Sequence, residues 1–295
     1  MAERVLVIGD SGQLGQSLRK VSVEYPGFEL EFAGYPQLDL ADSHSLAAFL
    51  EGRQQDWTAI INAAAYTAVD KAETERAQAD CVNHLAVKQL ADYAKQQNIF
   101  LLHVSTDYVF DGRAYRPWRE DDSVAPLNQY GVSKLAGEQA MQASGCRGAI
   151  VRTSWLYSEF GNNFVKTMLR LGREREQLGV IADQVGTPTY ATDLARVLFE
   201  LLMHEQAGNQ PASAGVELYH YSNEGVASWY DFAVAIFELS GINCHVDSIE
   251  TRAYPTPAAR PHYSVLNKGK IRQTLDVQIP HWRQSLGYCL KALGE

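Results

Sequence analysis

The chain has 295 residues, of which 46% are hydrophobic and 21% charged, a composition typical of a globular protein with a sizeable core. No apolar run approaches the roughly 18 residues that a membrane helix needs, and the net charge of −9 argues against a nucleic-acid partner. The four cysteines are scattered and the eight histidines form no H-E-x-x-H cluster, so neither a disulfide framework nor a metal site is expected. The N-terminal apolar run lacks the length and the cleavage site of a signal peptide, which predicts a cytoplasmic protein.

Short apolar runs alternate with helix-period segments through the first half of the chain. Five runs predict buried strands: RVLVIG (4–9), ELEFAG (29–34), AIINAAA (59–65), FLLHVST (100–106) and GAIVRTSW (148–155). The segments between them carry apolar residues at i, i+3 and i+4, which indicates amphipathic helices. This repetition predicts an α/β fold, a Rossmann-like doubly wound parallel sheet with helices on both faces.

Beyond about residue 156 the alternation becomes looser. Helices are predicted in NNFVKTMLRLGRERE and SWYDFAVAIFELSG, a strand in ELYHYS, strand, loop and helix in VIADQVGTPTYATDLARVLFELL, and a loop over 251–263. We expect residues 1–156 to form an NAD(P)-binding Rossmann domain, completed by parts of about 190–240. Residues 157–295 are expected to form a smaller substrate-binding part that is interleaved with the first.

A glycine-rich loop, GDSGQLG, places Gly9, Gly12 and Gly15 between the first predicted strand and the first predicted helix. Glycines there allow close approach of the backbone to a pyrophosphate, which a helix N-terminus attracts with its free N–H groups. The spacing differs from the usual G-x-G-x-x-G, and a plain strand-to-helix turn would also use glycines. The position at the first strand–helix junction favours a nucleotide site.

The residue that ends the second strand commonly selects the cofactor. An acidic side chain there binds the ribose hydroxyls of NAD, whereas a basic one pairs with the 2′-phosphate of NADP. The stretch AGYPQLDLAD has neither at the strand end, and Asp39 comes several residues later. The residues alone therefore leave the choice of cofactor open.

The stretch NQYGVSKLAGE places Tyr130 and Lys134 four positions apart. On a helix these side chains lie on one face, one turn apart, where the ammonium could stabilise an ionised phenol. A surface helix with an ordinary aromatic residue and an ordinary cation would show the same spacing. The pair alone does not decide between a catalytic dyad and a surface helix.

Three features occur in one chain: the glycine loop, STDYVFDG after the fourth strand, and Tyr130-x-x-x-Lys134. In this arrangement the chain resembles the extended short-chain dehydrogenase/reductase family, and within it the dTDP-4-dehydrorhamnose reductases. The likeness runs over nearly the whole chain, through INAAAYTAVDKAE (61–73), HVSTDYVFDG (103–112), PLNQYGVSKLAGE (126–138), VRTSWLY (151–157), NNFVKTMLRL (162–171), DQVGTPTY (183–190) and YPTPAARP (254–261).

The resemblance implies an oxidoreductase of cell-surface polysaccharide biosynthesis. It would reduce the C4 ketone of the sugar nucleotide dTDP-4-dehydro-L-rhamnose to dTDP-L-rhamnose, with NADPH as the cofactor and NADH as the alternative. A relative that forms 6-deoxytalose would use nearly the same residues, so the stereochemistry of the product stays open.

The resemblance also implies roles for individual residues. Tyr130 would be the acid–base residue, Lys134 its helper and a ligand of the cofactor ribose, and Thr106 the hydroxyl beside the reacting carbonyl. The cofactor would contact the glycine loop with Gln13 and Leu14, Asp39 and Leu40 near the adenine, and Ala63, Ala64 and Ala65. The substrate would contact Thr106, Tyr130, Asp107 and Trp155, with Arg260 at its diphosphate.

Each of the last three substrate residues has a structural alternative. Trp155 could be a core tryptophan, Asp107 could cap the following turn, and Arg260 could be a simple surface charge. Some relatives are dimers bridged by magnesium through glutamates, one of them in the first helix, where this chain has Ser17. No glutamate stands near Ala191 either, so we expect no metal and a monomer or homodimer.

Reduction of a ketone leaves an alkoxide that must be protonated as it forms. A free tyrosine has a pKa of about 10, and lowering it to near 7 takes about 4 kcal/mol of differential stabilisation. The charges of Lys134 and of the oxidised nicotinamide would lower the pKa of Tyr130. Thr106 would donate a hydrogen bond to the developing oxyanion.

Two other classes of protein share this fold. The first is a sugar-nucleotide epimerase or 4,6-dehydratase; related dehydratases carry an Asp-Glu pair after the threonine, whereas Tyr108 follows Asp107 here. An epimerase would hold NAD tightly through its cycle. The second is a non-catalytic regulatory subunit resembling the β subunit of methionine adenosyltransferase, which the intact Thr106, Tyr130 and Lys134 disfavour.

Overall fold

A six-stranded sheet forms the centre of the computed structural model, which describes residues 2–52, 56–208 and 215–295. Its strands are β1 (Glu3–Ile8), β2 (Phe28–Ala33), β3 (Trp57–Asn62), β4 (Phe100–Thr106), β5 (Gly148–Thr153) and β10 (Val216–His220). The order is β10-β5-β4-β3-β1-β2, and every pairing is parallel. The predicted Rossmann-like parallel sheet is confirmed.

Two predicted strands end earlier than their apolar runs suggest. β3 ends at Asn62, whose side-chain Oδ1 accepts a hydrogen bond from the backbone N–H of Ala64 at 3.2 Å and turns the chain. β5 ends at Thr153, because Trp155 has a φ of +48°, a left-handed conformation that a strand cannot contain. Both interruptions direct loop residues over the carboxyl edge of the sheet.

Helices cover the two faces of the sheet, as the strand residues require by pointing alternately to each side. On one face α1 (Gln13–Val21) and α8 (Ala191–Gln206) pack against residues such as Val5 and Val7. On the other face α2 (Ser43–Glu51), α5 (Ala86–Gln97) and α6 (Gln129–Ser144) pack against Leu6 and Ile8. The short helices α3 (Val69–Ala72) and α4 (Arg76–Asp80) lead through a π-helical turn at Cys81–Leu85 into α5.

A second core lies in the C-terminal half. It is built from α7 (Phe164–Glu174), α9 (Trp229–Ser240), α11 (Trp282–Leu293) and the parallel pair of β7 (Gln177–Ile181) and β12 (His245–Ile249). Two small pairs accompany it, β6 (Leu156–Tyr157) with β9 (Thr189–Tyr190) and β8 (Val185–Gly186) with β11 (Ala227–Ser228). Helix α10 (Gly269–Leu275) contributes Ile271 to the core on the α1 face.

The two predicted domains stay a prediction. The packing of α8 and the pairing of β10 tie residues from the predicted completing region, about 190–240, to the sheet; 209–214 lie outside the described residues. The predicted loop at 251–263 is irregular apart from one 3-10 turn, Thr251–Ala253, and an isolated parallel bridge from Tyr263 to Val185. Across the described ranges, none of the helices combines the length and apolarity that a membrane crossing requires.

The strand order fixes where a ligand can bind. The chain leaves β1 towards β2 on one side and leaves β3 towards β4 on the other side, so the loops after β1 and β3 diverge. In open parallel sheets, ligands bind in the crevice at such a switch point, beyond the carboxyl ends of the strands.

Candidate active site

A cavity of about 610 Å³ opens at this switch point. The segments that follow β1, β2, β3, β4 and β5 line it, together with α6. Its lining includes most of the residues predicted from the sequence: Gly9, Gly12, Gln13, Leu14, Asp39, Leu40, Ala63, Ala64, Ala65, Thr106, Asp107, Tyr130, Lys134 and Trp155. Gly15 and Arg260 lie outside the lining.

The glycine loop is shaped for close packing. Gly9 has a φ of +99°, and a Cβ on it would lie 2.8 Å from the backbone nitrogen of Ala64 after β3. A Cβ on Gly15 would overlap the carbonyl oxygen of Gly9, so Gly15 allows α1 to approach the loop. Gly15 therefore serves the packing of the helix against the loop. It is not part of the cavity lining.

The N-terminus of α1 faces the cavity with free donors. Its N-cap is Gly12, and in the described structure no side chain accepts a hydrogen bond from the first turn. By contrast, Asn128 caps α6 and Asn163 caps α7 with side-chain acceptors. Free N–H groups and the positive end of the helix dipole suit an anion such as a pyrophosphate.

Tyr130 lies in the first turn of α6, which two contacts of Asn128 hold in place. The Asn128 side chain accepts from the backbone N–H of Gly131 at 2.8 Å and donates to the carbonyl oxygen of Ala259 at 2.7 Å. The Tyr130 ring meets that of Tyr108 edge-on, with centroids 5.5 Å apart. Its hydroxyl lies near the hydroxyl of Thr106, the last residue of β4.

The pKa of Tyr130 differs from the expectation. Burial raises it to about 12, the nearby carboxylate of Asp107 adds to the rise, and the hydrogen bond with Thr106 only opposes it. The expected lowering by Lys134 is not among the causes of this shift. The phenol is therefore protonated at neutral pH, as an acid must be before it acts.

Lys134 is buried beneath the cavity floor. Its Nζ donates to the carbonyl oxygen of Val104 at 2.8 Å and contacts Nε2 of His103 at 3.2 Å, and His103 Nδ1 contacts the Asn62 side chain at 3.2 Å. Burial lowers the pKa of Lys134 to about 8. Burial and the Lys134 charge hold the pKa of His103 well below its ordinary range, so the imidazole is neutral.

Asp107 is a buried carboxyl next to the reactive pair. Its Oδ1 accepts a hydrogen bond from Thr106 Oγ1 at 3.0 Å. Burial raises the pKa of Asp107 to about 6, although hydrogen bonds from Ser264 and Thr106 oppose the shift. The following turn is capped by Thr106 rather than by Asp107, because the Thr106 hydroxyl accepts from the backbone N–H of Tyr108 at 3.2 Å.

Trp155 joins the sheet to the second core. Its ring stacks on Trp229 of α9 with centroids 3.5 Å apart and planes within 5°. Phe164 of α7 packs against Trp229, with ring centroids 4.7 Å apart. Trp155 thus both lines the cavity and packs against aromatic side chains, and its contact with the substrate stays a prediction.

Arg260 forms a bidentate ion pair with Asp70 and does not line the cavity. Its guanidinium donates to the Asp70 carboxylate at 2.8 and 2.9 Å and to the carbonyl oxygen of Ala258 at 2.8 Å. A substrate diphosphate would have to compete with that carboxylate. Contact between Arg260 and the substrate stays a prediction.

Sequence reasoning missed several lining residues. They flank the predicted motifs, and position after a strand end is the signal that could have found them: Ser11, Gly34, Tyr35, Thr67, Ser105, Tyr108, Ser154, Leu156, Gly161 and Asn162. His103, which contacts Lys134, was also missed. It stands three residues before Thr106 on β4, so the two side chains point to opposite faces of the strand. A buried histidine in an apolar strand was the available signal.

A metal was not expected. Within 2–52, 56–208 and 215–295, no group of three His, Cys, Asp or Glu side chains is placed to hold one. Ser17, at the position of a bridging glutamate in some relatives, is buried and donates from Oγ to the carbonyl oxygen of Gln13 at 2.9 Å. The absence of a metal requirement stays a prediction.

The chain was compared with known proteins. It is 41% identical to the dTDP-4-dehydrorhamnose reductase of Aggregatibacter actinomycetemcomitans over 290 residues, which cover 96% of this chain and 97% of that protein. The crystal structure of a dTDP-4-dehydrorhamnose reductase from Clostridium acetobutylicum matches with a TM-score of 0.90 and 37% identity, covering 99% of this chain and 100% of that chain. The enzyme of the same name from Bacillus anthracis, in complex with NADP, matches with a TM-score of 0.90 and 36% identity over 99% and 100%.

The family assignment rests on these matches and on the geometry together. The model for the RmlD substrate binding domain matches residues 3–294, which include the glycine loop, Thr106, Tyr130, Lys134 and the second core. The chain belongs to the RmlD substrate binding domain family.

Proposed function

We propose that this protein reduces the C4 ketone of dTDP-4-dehydro-L-rhamnose to dTDP-L-rhamnose, using NADPH with NADH as an alternative hydride donor. The observation that carries the proposal is the grouping of Thr106, Tyr130 and Lys134 at the floor of a cavity that also reaches the open N-terminus of α1. Relatives of 36–41% identity that bear the reductase name support the choice of substrate.

The cavity fits a nicotinamide dinucleotide. The uncapped first turn of α1 presents backbone N–H groups to a pyrophosphate. Gln13 and Leu14 would hold the phosphates, Asp39 and Leu40 the adenosine, and Ala63 to Ala65 the nicotinamide half. When bound, the cofactor supplies the hydride that adds to C4 of the sugar.

The protein supplies the proton. Tyr130 is protonated and lines the cavity with Thr106, so both hydroxyls can contact one carbonyl oxygen. As the C–O bond is reduced, the Tyr130 hydroxyl transfers its proton to the oxygen, and Thr106 donates a hydrogen bond to the charge that develops there. The phenolate formed is stabilised by Lys134 and then takes a proton from solvent.

The substrate side of the cavity would use Asp107 and Trp155, with Arg260 as a ligand of the diphosphate once it releases Asp70. We further propose that the protein acts in the cytoplasm as a monomer or homodimer, without a nucleic-acid or membrane partner. The acidic net charge of −9 supports the exclusion of nucleic acid.

The test follows NADPH absorbance with enzymatically generated dTDP-4-dehydro-L-rhamnose. We expect rapid oxidation by the wild type and a loss of about 10²–10⁴-fold in Tyr130→Phe, because proton transfer from a positioned side chain contributes that much. The matched control is Tyr115→Phe, since Tyr115 is 95% exposed. No oxidation by folded wild type would refute the reductase and favour the epimerase or the regulatory subunit.

A further inference from the structure

Three polar side chains form a buried chain beneath the cavity: Asn62 at the end of β3, His103 on β4 and Lys134 on α6. The pairing of β3 with β4 places Asn62 directly beside His103. The Asn62 amide nitrogen Nδ2 lies 3.2 Å from His103 Nδ1, and His103 Nε2 lies 3.2 Å from Lys134 Nζ. All three residues are at most 1% exposed, and of the three only Lys134 lines the cavity. Any effect of His103 on a bound ligand must therefore pass through Lys134.

The hydrogen bonds of Asn62 fix the direction of this chain. Its Oδ1 accepts from the backbone N–H of Ala64 at 3.2 Å, so the Nδ2 group is the one that faces His103. An amide nitrogen only donates, so His103 Nδ1 accepts. The imidazole is neutral, because burial and the Lys134 charge hold its pKa well below the ordinary range. A neutral ring carries one proton, which must then be on Nε2, facing Lys134.

The Nε2–H group of His103 is poorly matched to a charged lysine. An ammonium has three donors and no acceptor, so His103 and Lys134 would present donors to each other across 3.2 Å. A neutral amine has a lone pair that accepts from Nε2–H, and it can still donate to the carbonyl oxygen of Val104 at 2.8 Å. The contact therefore favours the amine over the ammonium. Burial acts in the same direction and lowers the pKa of Lys134 to about 8.

Other titratable groups face Lys134 from α6 and from the end of β4. Glu138, one helical turn after Lys134, raises the Lys134 pKa, although the Arg152 guanidinium binds its carboxylate at 2.6–3.2 Å. Tyr130, one turn before Lys134, is protonated and therefore uncharged. Asp107 follows β4 at the cavity and, when ionised, adds a second negative charge to this region. The two carboxylates favour the ammonium, and the His103 contact opposes them.

We propose that His103 is a positioning residue that sets the charge of Lys134: its Nε2–H group destabilises the ammonium, so that alkaline solution removes the Lys134 charge before it ionises Tyr130. Loss of this charge leaves the phenolate formed on Tyr130 without its cation, and reduction slows. The pKa values have the same order, about 8 for Lys134 and about 12 for Tyr130, both set mainly by burial. The proposal rests on the proposed function only for its consequence in turnover.

The first test measures the charge of Lys134 in cofactor-free protein that carries ¹³C at lysine Cε, whose chemical shift follows the protonation of the amine. The Lys134 signal is the one that Lys134→Met lacks. We expect a midpoint at about pH 8 in wild type. In His103→Gln it should rise by about one unit, because the amide oxygen can accept from the ammonium. Lys268 is an internal control: it is also buried but lies 3.4 Å from Glu224, and its midpoint should not move.

His220→Gln is the matched control variant. His220 is also a fully buried histidine of the sheet, and its Nε2 lies 3.4 Å from a different cation, Arg152. This variant should leave the Lys134 midpoint unchanged. A Lys134 midpoint that stays or falls in His103→Gln would overturn the proposal.

The tautomer of His103 is measured on wild type and needs no variant. The ¹⁵N chemical shifts of the imidazole should show the proton on Nε2. A proton on Nδ1 would overturn the proposal, because Nε2 would then accept from the ammonium and stabilise it. This measurement decides the matter even if His103→Gln does not fold.

The pH dependence of kcat/KM separates the proposal from the proposed function. The alkaline limb should move upwards with the Lys134 midpoint in His103→Gln and stay in place in His220→Gln. An alkaline limb that stays in place while the midpoint moves would overturn the consequence for turnover. A wild type that does not reduce the sugar would refute the reductase, whereas the Lys134 midpoints would still decide the role of His103.

Discussion

Asp107 shows how a residue of the reactive site carries a cost in stability. Its pKa in the folded protein is about 6, raised from an ordinary value of 3.8 mainly by burial. Between these values the folded state binds more protons than the unfolded state, so the stability contributed by the neutral carboxyl is lost as pH rises towards 6. A shift of about 2 units corresponds to about 3 kcal/mol.

We therefore expect Asp107→Asn to be stabilising in a pH-dependent way. Relative to wild type, the gain in the free energy of unfolding should be near zero below pH 4 and grow to at most about 3 kcal/mol above pH 6. Urea unfolding at several pH values measures it. Asp121→Asn, at an exposed carboxyl, should show no such growth. A gain for Asp107→Asn that is equal at pH 4 and pH 7 would contradict the role of burial.

The elements around the site are tied together by their ends. Asn128 caps α6 two residues before Tyr130 and also donates to Ala259, so it links the reactive helix to the proline-rich loop. Ser228 caps α9 in the second core through a capping box with Asp231. The two caps have similar local chemistry and different surroundings, because Asn128 lies beside the cavity and Ser228 does not.

Comparison of the two caps tests whether helix position matters for catalysis. We expect Asn128→Ala and Ser228→Ala each to lower the free energy of unfolding by about 1–2 kcal/mol. Only Asn128→Ala should also lower kcat, by about tenfold or more, since a small displacement of Tyr130 misplaces its hydroxyl. Thermal unfolding measures the loss of stability. Steady-state kinetics, at a temperature below the unfolding transitions of both variants, measure kcat. Equal kcat values in the two variants would show that the Asn128 contacts serve stability alone.

At the scale of the whole molecule, local patterns predicted more than long-range contacts. The alternation of apolar runs and amphipathic segments is local, and it predicted the strands and the class of sheet. The residues near the cavity could be predicted where they follow strand ends, as Thr106 and the Ala63–Ala65 run do. The contact between the Asp10 carboxylate and Gly34 could not, because the two residues are distant in sequence and meet only when β1 and β2 pair.

Two other features of the site also depend on contacts that are distant in the sequence. The partner of Arg260 is Asp70, 190 positions away in the sequence, and only the packed loop brings them within 2.8 Å. The pKa of Tyr130 depends on burial by the whole fold and on Asp107, whereas the i, i+4 spacing suggested only the effect of Lys134. Neighbours on one helix are visible in a sequence, but the depth of a side chain is not.

The stacked pair Trp155–Trp229 is where the sheet and the second core meet at the cavity. Trp155 follows β5 in a left-handed conformation, and Trp229 begins α9, so the ring that lines the cavity is supported from the other core. An aromatic pair contributes about 0.5–1.5 kcal/mol beyond its buried area. Without Trp229 the Trp155 ring loses the surface that fixes its plane towards a substrate.

We expect Trp229→Leu to raise the KM for the sugar nucleotide several-fold while the Kd for NADPH stays within about twofold of wild type. Trp118→Leu is the matched control, because Trp118 stacks on Phe110 with centroids 4.5 Å apart and neither residue lines the cavity. Both variants should lose thermal stability, but Trp118→Leu should keep the KM of wild type. Steady-state kinetics and NADPH titration distinguish the two. An unchanged KM in Trp229→Leu would mean that the fold around β5 alone positions Trp155, and that the second core serves stability rather than substrate binding at this point.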